Sequence, residues 1–157
     1  MDADFLHDFR RTLDDARTRL AALSDAGASR PRESGKWSPK EIVGHLIDSA
    51  ANNHARFVRA QSTDDLLFDG YDQEAWVRVQ RYNECGWLDL VQLWYAYNEH
   101  LAGVMERADP RALTRPRVRH SLDRIAFQPL DPATPATLAF VMRDYVAHLK
   151  HHLKQLA

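Results

Sequence analysis

Trp37-Ser38-Pro39-Lys40-Glu41-Ile42-Val43-Gly44-His45-Leu46 reads as the opening of a long amphipathic helix. Ser38 suits the N-cap, Pro39 the first helical position, and Glu41 can reach back to the cap in a capping box. With the start fixed, the helix runs to about Gln61 and turns Ile42, Leu46, Ala50 and Phe57 inward. His45 borders that apolar arc about two turns in. Ser49, Asn52 and Arg56 share its strip, so one edge of the helix stays polar for three turns while pointing partly inward. Such an edge is the wall of a pocket or a solvated flank.

Working outward, three more long segments carry helical periodicity. Upstream, Asp4 to Leu23 spaces Phe5, Phe9, Leu13, Ala16 and Leu20 by threes and fours, and Gly27 to Gly35 breaks the pattern. Downstream, a short helix is expected over Asp72–Arg81 and a long one from Gly86 to Arg107, with Leu90, Leu93, Trp94, Tyr97, Leu101 and Val104 as its buried stripe. Pro110, Pro116, Pro129 and Pro132 then exclude a helix interior, leaving a long crossover over Ala108–Ala133 with a short extended piece near Arg117 to Phe127. A connection of that length is often functional or a lid. The last helix runs from about Pro135 to the end, its apolar stripe made by Leu138, Met142, Tyr145, Leu149, Leu153 and Leu156. The expected fold is all-α, a four-helix bundle with long crossover connections, as one domain over residues 1–157.

The composition narrows the function. A chain of 157 residues that is 45% apolar buries a real core as one unit. Lys plus Arg number 21 against 22 Asp plus Glu, so no general field draws in nucleic acid or an acidic membrane. No stretch approaches the roughly 18 apolar residues of a membrane span. The first residues hold two aspartates and no apolar run, so a cytoplasmic location is expected. The single cysteine, Cys85, fits a reducing compartment.

Histidine stands out, with eight copies, three of them in the final ten residues. His148 and His152 project from the last helix only ~40° apart, one turn above the other, which lets two imidazoles share a metal. An i, i+4 pair is equally the signature of two part-buried histidines bonded to backbone or water. A third ligand decides between them, and His45 is the candidate. Three neutral imidazoles suit zinc, nickel, cobalt or iron(II) and leave coordination positions open. His100, near Leu93, Tyr97 and Val104, is kept as a rival ligand or outer-sphere group. Asp48 and Asp144, one turn from His45 and His148, are candidates to orient an imidazole through its other nitrogen. His54 is turned about half a circle from His45, and His7 and His120 are expected in solvent.

The segment Trp37 to Leu46, followed about a hundred residues later by His148-Leu149-Lys150-His151-His152-Leu153-Lys154-Gln155-Leu156, resembles the DinB-like superfamily of metal-binding helical proteins. Tyr97-Asn98-Glu99-His100-Leu101 also looks like its members, in particular the YfiT-like group of metal-dependent hydrolases, so the resemblance covers most of the chain from Trp37 on. It implies a four-helix bundle with one divalent metal, zinc or nickel first, on His45, His148 and His152. It also implies an enzyme, either a hydrolase or a transferase using a low-molecular-weight thiol as cosubstrate. Asp48, Asn52, Arg56 and His100 are then the candidates for contacts to a small-molecule substrate. The catalytic residue stays unassigned. Neither nucleic acid nor membrane is an expected partner. A homodimer is expected by the same resemblance, with Trp76, Tyr82 and Trp87 as a dimer face or as core. The alternative is a metal-stabilised bundle with a stress-response or assembly role.

Overall fold

In a computed structural model describing residues 1–156, Ser38 forms the expected capping box: its hydroxyl accepts from the Glu41 amide while the Glu41 carboxylate accepts from the Ser38 amide. The element order is α1 (Ala3–Ala21), α2 (Asp25–Ala28), α3 (Pro39–Arg59), α4 (Gln73–Gln80), a 3-10 turn (Tyr82–Glu84), α5 (Trp87–Arg107), α6 (Pro110–Thr114), α7 (Leu122–Ile125) and α8 (Leu138–Gln155). Among the described residues, extended pairing is limited to two isolated bridges, Leu66 with His120 and Arg117 with Ala136. The fold is therefore all-helical. The expected reach of the last helix to the chain end touches Ala157, which lies outside the described residues.

Helices α1, α3, α5 and α8 make the bundle. Both α5 and α8 pack against α1 and against α3, which places α1 diagonally from α3 and α5 diagonally from α8. Each diagonal step needs a long connection, and the segments over residues 22–38 and 108–137 supply them. At the centre Tyr145 meets Phe9 and Phe57 edge-on, at 6.5 and 5.7 Å between ring centroids, and donates its hydroxyl proton to Asn98 Oδ1 at 2.6 Å. The Asn98 amide in turn donates to the Trp94 carbonyl at 2.8 Å. A polar pair this deep holds only because both members are satisfied.

The start of α3 is anchored from below. Lys40, with its side chain almost fully buried, pairs with Asp25 at 2.9 Å, and Asp25 also accepts from the Trp87 amide at 2.9 Å. Gly44 then matters for space: a Cβ there would lie 2.1 Å from the Tyr82 ring, so glycine lets the 3-10 turn lie flat on α3. The Tyr82 hydroxyl reaches Asp48 at 2.7 Å. This cover over the first turns of α3 sets the direction in which His45 points.

Two expectations about burial change, and one alternative left open by the sequence is decided. Leu93, expected in the buried stripe of α5, is 51% exposed, whereas Asn98 of the same helix is fully buried. Tyr82 and Trp87 belong to the core, so only Trp76 of the three aromatics offers an outer surface. His120, expected in solvent, is buried: one ring nitrogen meets the Thr134 carbonyl at 2.9 Å and the other accepts from the Leu122 amide. The crossover hosts it because Leu66 and His120 pair as a bridge, which draws the ring under the loop. The crossover's extended piece is real at Arg117 but gives way to α7 after His120.

Candidate metal centre

His45 on α3 and His148 and His152 on α8 converge at the end of the bundle where α3 begins and α8 finishes. One ring nitrogen from each lies within 4.8 Å of the others. His45 Nε2 and His148 Nε2 are 3.2 Å apart, and the His152 ring centroid is 4.8 Å from that of His45 and 4.5 Å from that of His148. Ligands held at 2.0–2.1 Å in a tetrahedron stand about 3.3 Å apart, and at right angles about 2.9 Å. The 3.2 Å pair fits between these, and the third ring stands wider, inside the 4.8 Å that bounds the cluster.

The remaining nitrogens point the rings the right way round. His152 Nδ1 lies 3.1 Å from Gln155 Oε1, and His148 Nδ1 lies 3.5 Å from the Ser49 hydroxyl. A hydrogen bond from Nδ1 leaves Nε2 with its lone pair toward the cluster. His45 Nδ1 is buried with no partner, and the ring of Trp37 covers its face at 5.1 Å.

Burial also sets the charge. Desolvation, followed by the presence of His152, pulls the pKa of His45 down to about 4; desolvation, then the other three imidazoles in turn, pulls His148 down to about 3. His152 is lowered too, chiefly by desolvation, with Gln155 acting against it. Three imidazoles this close cannot all be charged, so near neutrality they are neutral bases, each able to turn a lone pair toward the others. That is the donor set a divalent transition metal takes up.

The sequence profile of the DinB superfamily matches residues 8–156. The chain belongs to the DinB superfamily. Among curated proteins, "Putative metal-dependent hydrolase YfiT" of Bacillus subtilis (strain 168) is 26% identical over 61 residues, 39% of this chain and 34% of that protein. The aligned stretch thus spans about a third of that relative's length. A solved structure, "YfiT from Bacillus subtilis is a probable metal-dependent hydrolase with an unusual four-helix bundle topology", superposes with a TM-score of 0.73 over 98% of this chain and 84% of that one, at 18% identity. At that identity the superposition speaks for the fold alone: the four-helix bundle described above is shared with that structure.

Beside the histidines of this DinB superfamily member opens a polar cleft of about 350 Å³. Ser49, Asn53 and Arg56 of α3 form one wall, Asp144, His148, His151 and His152 of α8 the opposite one. Tyr71 and Gln73 close it from one side and the stretch Arg124 to Phe127 from the other. Both oxygens of Asp144 accept backbone amides, from Phe127 at 2.8 Å and Gln128 at 2.7 Å, which pins the crossover against α8. The long connection is therefore one side of the cleft.

Several candidate contacts are relocated. Asp48 does not orient His45: its Oδ1 accepts from Tyr82 and Gln80, both at 2.7 Å, and its Oδ2 is buried without a partner. Burial raises its pKa. Asp144 likewise serves the crossover rather than His148. Asn52 donates to the Asp48 carbonyl at 2.9 Å, and Asn53 takes its place on the cleft wall. Measured from Ser49, residue 53 is turned about 40° to one side and residue 52 about 60° to the other, and the cleft opens on the Asn53 side. His100 is exposed and meets His54 edge-to-face at 4.9 Å between ring centroids, outside the cluster, while His54 meets the Tyr97 hydroxyl at 3.3 Å. Arg56 does line the cleft. Gln155 went unnoticed, although its place three residues after His152 was a usable signal; Tyr71, Arg124 and Phe127 reach the cleft from connections, where periodicity is silent.

Proposed function

We propose that this chain is a metal-dependent enzyme that acts on an electrophilic small molecule in the cleft between α3 and α8. His45, His148 and His152 would hold one divalent ion, zinc or nickel by the donor chemistry. Three neutral imidazoles meeting at the head of a polar cleft is the observation that carries this reading. When bound, such an ion lowers the pKa of a coordinated thiol or water enough to make a nucleophile near neutral pH. The protein's own part is positional. Ser49 and Gln155 hold two of the rings in the tautomer that presents Nε2, Trp37 keeps water from His45, and the crossover shields the cleft.

Thiol transfer is the better supported of the two reactions. Among the described residues Asp144 is the one carboxylate lining the cleft, and each of its oxygens already accepts a backbone amide, which makes it a weaker base toward water. A coordinated thiol needs only to lose its own proton. His151 is the remaining base on the cleft wall, with a ring nitrogen 3.3 Å from the Gln155 amide and its ring against Phe127 at 5.2 Å.

The test starts with metal analysis of protein purified without chelators or a nickel column, followed by turnover with a panel of low-molecular-weight thiols and a chromogenic electrophile. One equivalent of metal is expected, with turnover abolished in His152→Ala. Turnover that needs no thiol and falls away in His151→Ala assigns hydrolysis instead. No turnover in either format, in a protein that still binds metal, returns the chain to a metal-stabilised scaffold.

A further inference from the structure

The strip of α3 that begins at His45 ends, eleven residues on, at Arg56, and the physical state of that guanidinium is unusual for the surface of a bundle. Arg56 is half-buried in the cleft wall. Of its five N–H groups, one donates to the Asp69 carbonyl at 2.9 Å, and the Phe68 ring lies 5.8 Å from its centre. Among the described residues no carboxylate stands within ion-pair distance of it. Asp144, across the cleft, exerts an attraction but spends its oxygens on Phe127 and Gln128. Desolvation is the main influence on Arg56 and disfavours its charge. A partly dehydrated cation with most of its donors turned to no protein acceptor is well placed to exchange water for an anion.

We infer that Arg56 is the anion-binding end of this cleft, and that the small molecule accepted there carries a carboxylate. This rests on the metal-centred reading for which end of the molecule reacts, and not for the binding itself. The spacing supports it. Eleven residues of helix span roughly 16 Å, and side chains lean toward the helix N-terminus, so the Arg56 head is brought back toward the histidines. A short carboxylic acid can place its acid group on Arg56 and its reactive carbon beside His148 and His152. The planar fork of guanidinium N–H groups matches a carboxylate in two parallel hydrogen bonds. Phosphate is a poorer fit than a dicarboxylate, because it gathers both charges on one centre where the Asp144 carboxylate faces the same space, and Arg124, the other cation at the cleft, is solvent-exposed with Asp123 at 3.8 Å.

The experiment uses metal-free protein, so that no carboxylate can bind through an ion. Succinate, its neutral analogue succinamide and inorganic phosphate are titrated by ligand-observed NMR against wild type, Arg56→Lys and Arg56→Gln. Succinate is expected to bind wild type, to weaken several-fold with lysine, and to weaken about tenfold or more with glutamine. Succinamide should bind at least about tenfold more weakly than succinate, and phosphate more weakly than succinate. Circular dichroism of each variant checks folding, and zinc affinity should be the same in Arg56→Gln as in wild type. The inference is overturned if wild type does not bind succinate, if the glutamine variant binds it equally well, if succinamide matches it, or if phosphate binds more tightly. Should His152→Ala leave zinc affinity unchanged while Arg56→Gln loses succinate, the metal-centred reading fails and the anion site stands.

Discussion

Lowering the pH separates this centre from three ordinary histidines. A divalent ion competes with protons for each ring, and a solvated imidazole titrates near 6.5. Taking the pH from 7.5 to 5.5 would therefore weaken binding about tenfold per ring, or about a thousandfold for three. In this protein His45, at about 4, and His148, at about 3, remain neutral across the whole interval and contribute almost nothing to the loss. Only His152 is left to titrate, and since its pKa also lies below the ordinary value its share is at most about tenfold. Zinc affinity should thus fall by no more than about tenfold between the two pH values. Competition against a chelating dye, corrected for the dye's own protonation, measures it. A loss of a hundredfold or more would show that the rings are not desolvated as described. The same shifts fix the sign of the metal-free protein's stability. Each depressed imidazole contributes fully above pH 6.5, where the unfolded chain is also neutral, and the contribution is lost as the pH falls from there toward about 4 and about 3.

Three substitutions probe the supports. Gly44→Ala pushes a methyl group into the Tyr82 ring, at 2.1 Å if nothing moves; the ring must shift off Asp48, and chemical denaturation should show a loss of about 2–3 kcal/mol. Arg117→Met leaves the Ala60, Ala112 and Arg115 carbonyls without the buried guanidinium that now donates to them at 2.7, 3.1 and 3.3 Å, and should cost at least about 3 kcal/mol in the same assay. Gln155→Ala removes the oxygen 3.1 Å from His152 Nδ1; metal affinity should drop about 10- to 100-fold in calorimetry while the metal-free melting temperature stays within a degree or two of wild type.

How much of this was legible in the sequence follows from which forces act locally. The capping box at Ser38 is a contact between neighbours, so it was readable, and with it the phase of α3 and the inward face of His45. The i, i+4 geometry of His148 and His152 is fixed by helix periodicity alone. Position on a bundle is not local. Leu93 fits the apolar period of α5 yet faces outward, because α1 and α3 cover the sides that hold Leu90, Trp94 and Leu101. The polar groups were least legible. Asp48 sits one turn from His45 but turns to Tyr82, a residue delivered by the 3-10 turn that Gly44 admits. The crossover could be seen to be long; that Asp144 would pin it over the cleft depends on two backbone amides whose placement no side-chain pattern encodes.

The distribution of unmet polar groups ties stability to the site. Between α1 and α5 the buried donors are mostly accounted for: the Trp87 indole donates to the Leu20 carbonyl at 2.9 Å, and Trp94 Nε1 is the exception. On α3, by contrast, two unpartnered atoms, His45 Nδ1 and Asp48 Oδ2, lie within one helical turn of each other. They share that stretch with a nitrogen pair, His45 Nε2 and His148 Nε2, in which one ring must donate to the other or leave two lone pairs opposed. A hydrophobic helix of the same length would pack more stably there. The cost falls where α3 and α8 meet at the head of a cleft, and an ion between the rings would take up both lone pairs at once, whereas a hydrogen bond between the two rings uses only one.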